Sequence, residues 1–346
     1  MKRTELSADK DIEPMKKTLL VAATLTLTTA LSGCDAGGSK ANIAIGPAAS
    51  TTQKVSRMVL SAYGVEDADF NAYQERFGDA LDGVQDGNID ISMGIMGLPA
   101  GSIESLQASS GDVVMLSLSD EVVDQIEKSS DYRRFIISKD SYKFLDSDVQ
   151  TIAAFAVMMG NTNTINEEMG YQLAKVMYDQ ADQITHSQAK FLTLEHALNG
   201  ADALKIHPGA KRFYEEKGLT VNMPVAELGN VTAKHEFILG TGSQGGTYYP
   251  LGGEIATTWN NNIPGANFTN VETSASIENL VSIRDDKMDL GMSVHVPARN
   301  ALEGKAEFEG SPVDNAAFIG QIYPEVVQIV SRASNKVSSF ESIKAK

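Results

Sequence analysis

Apolar positions along this chain fall into a layout that occurs twice. Asn42-Ile-Ala-Ile-Gly46 is a short β-like run, followed by the polar turn Pro47-Ala-Ala-Ser50-Thr51-Thr52-Gln53. Val55, Met58, Val59 and Ala62 then recur at i, i+3, i+4 and i+7, one face of a helix. Ser50 with Gln53 fits a capping box, which starts that helix at the turn. A strand follows Gly87, around Asp90 to Ile95. The layout returns from Glu236 to Gly240, a second β-like run, followed by the Gly-rich turn Thr241 to Thr247. Tyr248, Leu251, Ile255 and Trp259 make the next helical stripe, and Asp289 to Ser293 the next strand. Between the halves, Val149 to Met159 reads as a long apolar strand. Glu167 to Ala181 reads as a helix, with Met169, Leu173, Val176 and Met177 on one face. Residues 219–233, with Pro224, Gly229 and no clear period, read as a linker.

Alternating strands and helices predict an α/β fold with a largely parallel sheet. The 346 residues allow two domains, at roughly 150 residues each. Two halves of one layout, facing each other, form an interdomain cleft, and such sheets bind ligands at the carboxyl ends of their strands.

Charge and scarce residues narrow the function. Asp plus Glu number 45 against 29 Lys plus Arg, a net charge of -16. That excludes broad phosphate neutralisation, so no nucleic-acid partner is expected. The single cysteine, Cys34, excludes a disulfide framework and any zinc site built on several thiolates. The five histidines show no H-x-x-x-H pair, and no Walker loop, nucleophile elbow or Cys-His pair is visible. No catalytic residue, metal or cofactor is therefore expected. Asp90 and Asp289 read as turn and strand-edge residues.

The amino-terminal region carries an address. Met15-Lys-Lys, an apolar run from Leu19 to Leu31, and Leu31-Ser-Gly-Cys34 follow the order of a signal peptide. The run is shorter than the ~20 residues of a membrane span. Its ending looks like a bacterial lipobox, which implies a signal peptide over 1–33, a start at Met15, lipid on the Cys34 thiol and a short linker over 34–40. Asp35 favours retention at the inner membrane, on its periplasmic side.

Gly240-Thr-Gly242-Ser-Gln-Gly245 matches G-x-G-x-x-G between a strand and a helix, but residues 260–262 are all Asn where a dinucleotide site needs an acid. What remains is a turn that presents backbone N–H groups at a helix N-terminus, suited to an anion such as a carboxylate.

Three blocks carry a family resemblance: Thr241 to Gly253 (with Tyr248-Tyr-Pro250), Val271 to Asn279, and Asp289 to Ser293. They resemble the amino-terminal half of TAXI-type solute receptors of TRAP transporters. Asn42 to Gly64, Asp86 to Leu98 and Ile206-His-Pro-Gly-Ala210 through Gly218 are similar to the remainder of that family. The order differs: the family's usual end comes at Gly218 here, and its usual beginning follows at Lys234. The family's Pro-Gly-Ser-Gly-Thr turn is Pro47-Ala-Ala-Ser-Thr51, and its Thr-Gly-Gly-Ser is Thr273-Ser-Ala-Ser276.

The resemblance implies a circularly permuted, two-domain, periplasmic-binding-protein-like α/β fold. One domain would be split between 41–149 and 323–346, and the other continuous over 150–322, with hinge crossings near 145–150 and 320–325. The strand Val326 to Val330 would share a sheet with Asn42 to Ile45. The implied function is an extracytoplasmic solute receptor that takes a small carboxylate, glutamate or a related acid, to TRAP membrane subunits. Its contacts would come from Thr241, Gly242, Gln244, Gly245, Gly246, Thr247, Tyr248, Ser274, Ser276 and Ser293, and from Ser50, Thr51, Thr52 and Gly97 in the facing half. Two other readings use the same features: an enzyme with a Gly-rich phosphate or nucleotide loop, and a ligand sensor of the same fold.

Overall fold

Two strands of unusual length organise this molecule. The computed structural model describes residues 40–335 and 340–344. The expected signal peptide over 1–33, the expected start at Met15 and Cys34 lie outside the described residues, as do residues 34–39 of the expected linker. In chain order the elements begin β1 (Ala41–Ala44), α1 (Thr51–Ala62), β2 (Phe70–Tyr73), α2 (Phe77–Gln85), β3 (Ile91–Met96), α3 (Gly101–Ser110) and β4 (Val113–Met115). They continue with α4 (Asp120–Ser129), β5 (Arg133–Ile137), β6 (Val149–Asn161), α5 (Glu167–Asp179), α6 (Pro208–Glu216) and β7 (Glu236–Gly240). The last are α7 (Tyr248–Asn262), β8 (Asn267–Val271), α8 (Ser276–Arg284), β9 (Leu290–Val294), α9 (His295–Glu303), β10 (Ala316–Arg332) and α10 (Glu341–Lys344).

These strands join one sheet of order β2-β1-β3-β10-β6-β9-β7-β8, with β4 also on β10 and β5 on β6. Among the described residues, the parallel strand pairs lie in the wings, where β1 meets β2 and β3, and β7 meets β8 and β9. The centre is antiparallel: β10 runs against β3, β4 and β6, and β6 against β5 and β9. The expectation of a largely parallel sheet is corrected accordingly. Alternation within each half predicts its wing, but not the direction of the long strands that connect the two.

β6 and β10 are buried along nearly their whole length, as interior strands covered on both faces are. Apolar side chains gather into separate cores on either side of their midpoints. One core holds Ala156, Met158, Leu173, Trp259, Phe318 and Tyr323. On the other side lie Ile43, Val59, Ile152, Ala154 and Val327, with Leu81, Ile103 and Val330 beside them. The cores part between Ala154 and Ala156 on β6, and between Tyr323 and Val326 on β10. β10 slips register against β6 between Phe318 and Gly320 and between Gln321 and Tyr323, and such bulges bend a strand. The result is the expected two-domain α/β fold with a cleft between lobes. Lobe one carries β1 to β5, and lobe two β7 to β9.

Local chemistry explains the repeated layout. Ser50 accepts from the Gln53 N–H at 3.1 Å, while Gln53 Oε1 accepts from the Ala49 N–H at 3.0 Å, so the cap reaches one residue further back than a standard box. Asp90 Oδ2 accepts from the Asn42 N–H and Asp289 Oδ2 from the Ile238 N–H, each at 2.8 Å. Each carboxylate clips one strand of its wing to the neighbouring parallel strand. In lobe two, the fully buried Trp259 donates its indole N–H to Leu173 O at 3.1 Å.

The His-Pro-Gly-Ala motif starts α6. His207 Nδ1 accepts from the Gly209 N–H at 3.2 Å, and Nε2 meets Ile165 O at 3.1 Å. A Cβ on Gly209 would lie 2.0 Å from Glu167 O, so only glycine lets α6 approach α5 this closely. Burial pushes the His207 imidazole down to about 4, which keeps it neutral. The linker lies against this lobe: Ile206 donates to Pro224 O, and Ala226 donates to Ile206 O, each at 2.8 Å. At the carboxyl end, Phe340 and Ile343 are buried in the same core as Ala41 and Ile43, and the Phe340 ring stacks on Tyr63 with centroids 4.3 Å apart.

Candidate functional site

The carboxyl ends of β1 and β7 face each other across a cavity of about 730 Å³, counting the part open to solvent. Four helices start at its wall: α1 at Ser50 and Thr51, α2 at Arg76 and Phe77, α7 at Thr247 and Tyr248, and α8 at Ala275 and Ser276. Unpaired N–H groups give each helix start a partial positive charge, so four of them around one space favour an anion. Among the described residues, no group of His, Cys, Asp and Glu is arranged to hold a metal ion.

Nine of the residues named from the sequence line this cavity: Ser50, Thr51 and Thr52 from lobe one, and Gly242, Gly246, Thr247, Tyr248, Ser274 and Ser276 from lobe two. Their hydroxyls are not equally available. Ser50 donates to Pro47 O at 2.7 Å and caps α1. Ser276 accepts from the Val294 N–H at 3.0 Å. The Gly246 N–H is taken by Ser243 O at 3.0 Å. Thr51 Oγ1 and the Tyr248 hydroxyl, on side chains that are each 5% exposed, have no hydrogen-bond partner among the described residues.

The other five do not line it. Thr241 turns its hydroxyl onto Val271 O at 2.6 Å, bridging β7 to β8. Ser293 donates to the adjacent Val294 O at 2.9 Å. Gln244 is exposed on the rim and donates to Glu272 at 3.2 Å. Gly245 and Gly97 lie where the lobes meet. A Cβ on Gly245 would come within 2.7 Å of Gly78 Cα, and one on Gly97 within 2.7 Å of Gln188 Cδ.

The lobes are closed on one another. Gly97 donates its N–H to Thr247 Oγ1 at 2.9 Å, and Gln188 donates to Leu98 O at 2.9 Å. Arg76 pairs with Glu272 at 2.5 Å across the mouth, and Lys54 with Glu307 at 2.8 Å. Thr247 does not cap its own helix, which frees its hydroxyl for the cross-lobe bond.

The sequence reading missed an acid at the back of the cavity. Glu325 is 2% exposed and sits on β10 opposite Ala154, where the strands cross between lobes. Tyr323 donates to its Oε1 at 2.9 Å, and Oε2 has no partner among the described residues. Burial pushes this carboxyl up to about 7, against the opposing pull of the Tyr323 and Tyr248 hydroxyls beside it. The available signal was a glutamate, the one charged residue in the strand-like run from Ala316 to Val330. Arg76 and Phe77 were also missed, because the turn before α2 carries neither glycine nor a hydroxyl to mark it.

Among the described residues no helix is long and apolar enough to cross a membrane. In fold comparison the chain is similar to the phosphate-binding protein of a phosphate ABC transporter from Streptococcus pneumoniae TIGR4, with a TM-score of 0.37, 11% identity, and coverage of 88% of this chain and 94% of that one. It is also similar to a binding protein component of an ABC phosphonate transporter from Pseudomonas aeruginosa, with a TM-score of 0.40, 9% identity, and coverage of 88% and 72%. A third is the substrate binding protein of an amino acid ABC transporter, with a TM-score of 0.39, 7% identity, and coverage of 88% and 90%. The sequence model of the NMT1-like family matches residues 23–218 and 239–346, and the chain belongs to the NMT1-like family.

Proposed function

We propose that this chain is an extracytoplasmic solute receptor, which closes two lobes on a small carboxylate, glutamate or a related acid, and delivers it to the membrane subunits of a TRAP-type transporter. The observation that carries this reading is the cleft itself: four helix N-termini from both lobes surround one cavity, and two long strands join the lobes beside it. A net charge of -16 repels an anion at long range. Screening over about 8–10 Å confines that repulsion, so donors at contact distance prevail. Binding and release need no covalent step, which agrees with a site rich in hydroxyls and backbone donors.

The proposal includes the permuted order and the lipid anchor at Cys34. Permutation is supported by the shared core of β1 and the carboxyl-terminal residues Phe340 and Ile343. The domain boundaries are placed where the cores part. Lobe one then takes residues up to about 154 and again from about 325, a few residues beyond the boundary expected near 149, because Ile152 and Ala154 pack in its core. Mass spectrometry of membrane-extracted protein tests the anchor, which requires lipid on Cys34 and loss of everything before it.

A thermal-shift screen of the full chain in detergent, against amino acids and di-acids, tests the function. A specific solute at 100 times its Kd stabilises by about 2.7 kcal/mol. Shifts from phosphorylated nucleotides alone, or from no carboxylate, would count against the reading.

A further inference from the structure

Among the described residues, three polar atoms in the cleft lack partners although their side chains are almost wholly buried: Glu325 Oε2, the Tyr248 hydroxyl and Thr51 Oγ1. They come from three elements, β10, α7 and α1, and all three residues line the same cavity. A buried polar atom without a partner costs roughly 1–3 kcal/mol, so three lining one space mark a place that something polar fills. Donors and acceptors are unevenly shared there. Four helix starts provide for an anion, and Glu325 provides the opposite: an oxygen that only accepts while ionised.

We propose that the cleft takes an amphoteric ligand whose protonated amine docks on Glu325, between the Tyr248 and Thr51 hydroxyls, while its acid group faces the helix N-termini. This rests on the solute-receptor reading of the cleft and narrows it from small acids to amino acids. The geometry favours an amine over a second carboxylate. Tyr323 already donates to Glu325 Oε1 at 2.9 Å, and the Tyr248 hydroxyl stands beside the same carboxyl. The Tyr323 phenol holds the carboxylate as an acceptor and leaves Oε2 open. Glu325 also sits at the crossing of β10 between lobes, so a ligand held there touches the hinge strand itself.

Protons provide an independent readout. The ionisable groups facing Glu325 are Tyr323 on its own strand, Tyr248 on α7 and Tyr132 ahead of β5, with Glu75 and Arg76 on the same cavity wall. Burial holds all three phenols protonated across the neutral range. In the empty cleft, burial holds part of the Glu325 population protonated near pH 6.5. An ammonium beside it lowers its pKa, so binding releases protons. A neutral Glu325 that instead donated to a ligand carboxylate would take protons up.

The test is calorimetry of the full chain at pH 6.5 in two buffers of different ionisation enthalpy, with L-glutamate, glutarate and 4-aminobutanol as probes. L-Glutamate and glutarate differ only in the amino group. The expected result is a preference for L-glutamate of about 100-fold or more, with proton release on binding. Glu325→Gln removes both the preference and the release. Tyr248→Phe, which leaves the carboxylate in place, weakens L-glutamate and keeps the release. Glutarate binding as tightly as L-glutamate, or with proton uptake, would overturn the amine subsite and leave the carboxylate reading standing. Binding of 4-aminobutanol alone, lost in Glu325→Gln, would keep the subsite and overturn the carboxylate reading. Binding of none of the three would overturn both.

Discussion

Strands β1 and β7 each end in a polar turn that opens a helix onto the cleft, but different partners complete the two turns. In lobe one the turn is braced from within. Ser50 caps α1 and donates to Pro47 O, and Gln53 returns to Ala49. In lobe two Thr247 leaves its own helix uncapped and accepts from the Gly97 N–H of the facing lobe, while Gly245 packs on Gly78. The backbone of one turn is therefore held within its own lobe, and the other turn is completed only when the lobes meet. The difference teaches where binding energy and closure are coupled: in the Gly-rich turn.

The largest effect should come from blocking that meeting. Gly245→Val places a Cβ 2.7 Å from Gly78 Cα and 2.8 Å from its backbone N, neither of which can step aside. The closed state becomes rare, and solute affinity should fall by ~100-fold or more with little change in Tm. Gly246→Ala, next in sequence, meets only Ser243 O at 3.3 Å and should shift affinity a few-fold at most. Equal effects of the two in calorimetry would remove the distinction.

Thr247→Val should come next. It leaves the Gly97 N–H buried and unpaired in the closed state only, which costs about 1–3 kcal/mol. Titration should show that loss in affinity, recovered by Thr247→Ser, with unfolding by urea nearly unchanged.

Acid should separate the lobes as well. His207 in lobe two and His295 at the start of α9 are both pushed down to about 4 by burial. The unfolded chain then binds more protons than the folded one from about pH 6.5 down to about 4, so both contributions to stability are lost as pH falls through that window. Glu325, raised to about 7, has the opposite sign and loses its contribution as pH rises from about 4.5 through 7. Hydrogen exchange at pH 7 and pH 5 should show protection lost first around α5, α6 and α9. Equal loss in β1 and α1 would contradict this assignment.

Ser50→Ala should be the mildest change to read. Losing the α1 cap costs about 1 kcal/mol of stability, seen in urea unfolding, with affinity changed less than by Thr247→Val.

Much of this comparison was legible in the residues, for identifiable reasons. Val55, Val59 and Leu251, Ile255 follow the helical period because each helix buries one face on its wing. The Asp90 and Asp289 clips were visible as strand-edge acids because each directly precedes the apolar run it enters. The antiparallel centre was not legible, since periodicity within β6 and β10 reports burial and not direction. Which hydroxyls face the cleft was equally hidden. Thr241 and Thr247 lie six positions apart in one turn, and only tertiary partners, Val271 O for one and the Gly97 N–H for the other, decide their roles. Glu325 was masked by its neighbours, because an apolar strand pattern absorbs a single acid without changing its period.

Closure of two lobes on a solute changes the distance between them, which can be measured in solution. Spin labels at Asp82→Cys on α2 and Asn261→Cys on α7, in a Cys34→Ser background, report the separation of two helices whose N-termini share the cleft. With the solute selected by thermal shift at saturation, the account predicts one narrow distance equal to that of this closed structure. Without it, a longer and broader distribution should dominate. A distribution that stays unchanged while calorimetry shows the solute bound would contradict closure.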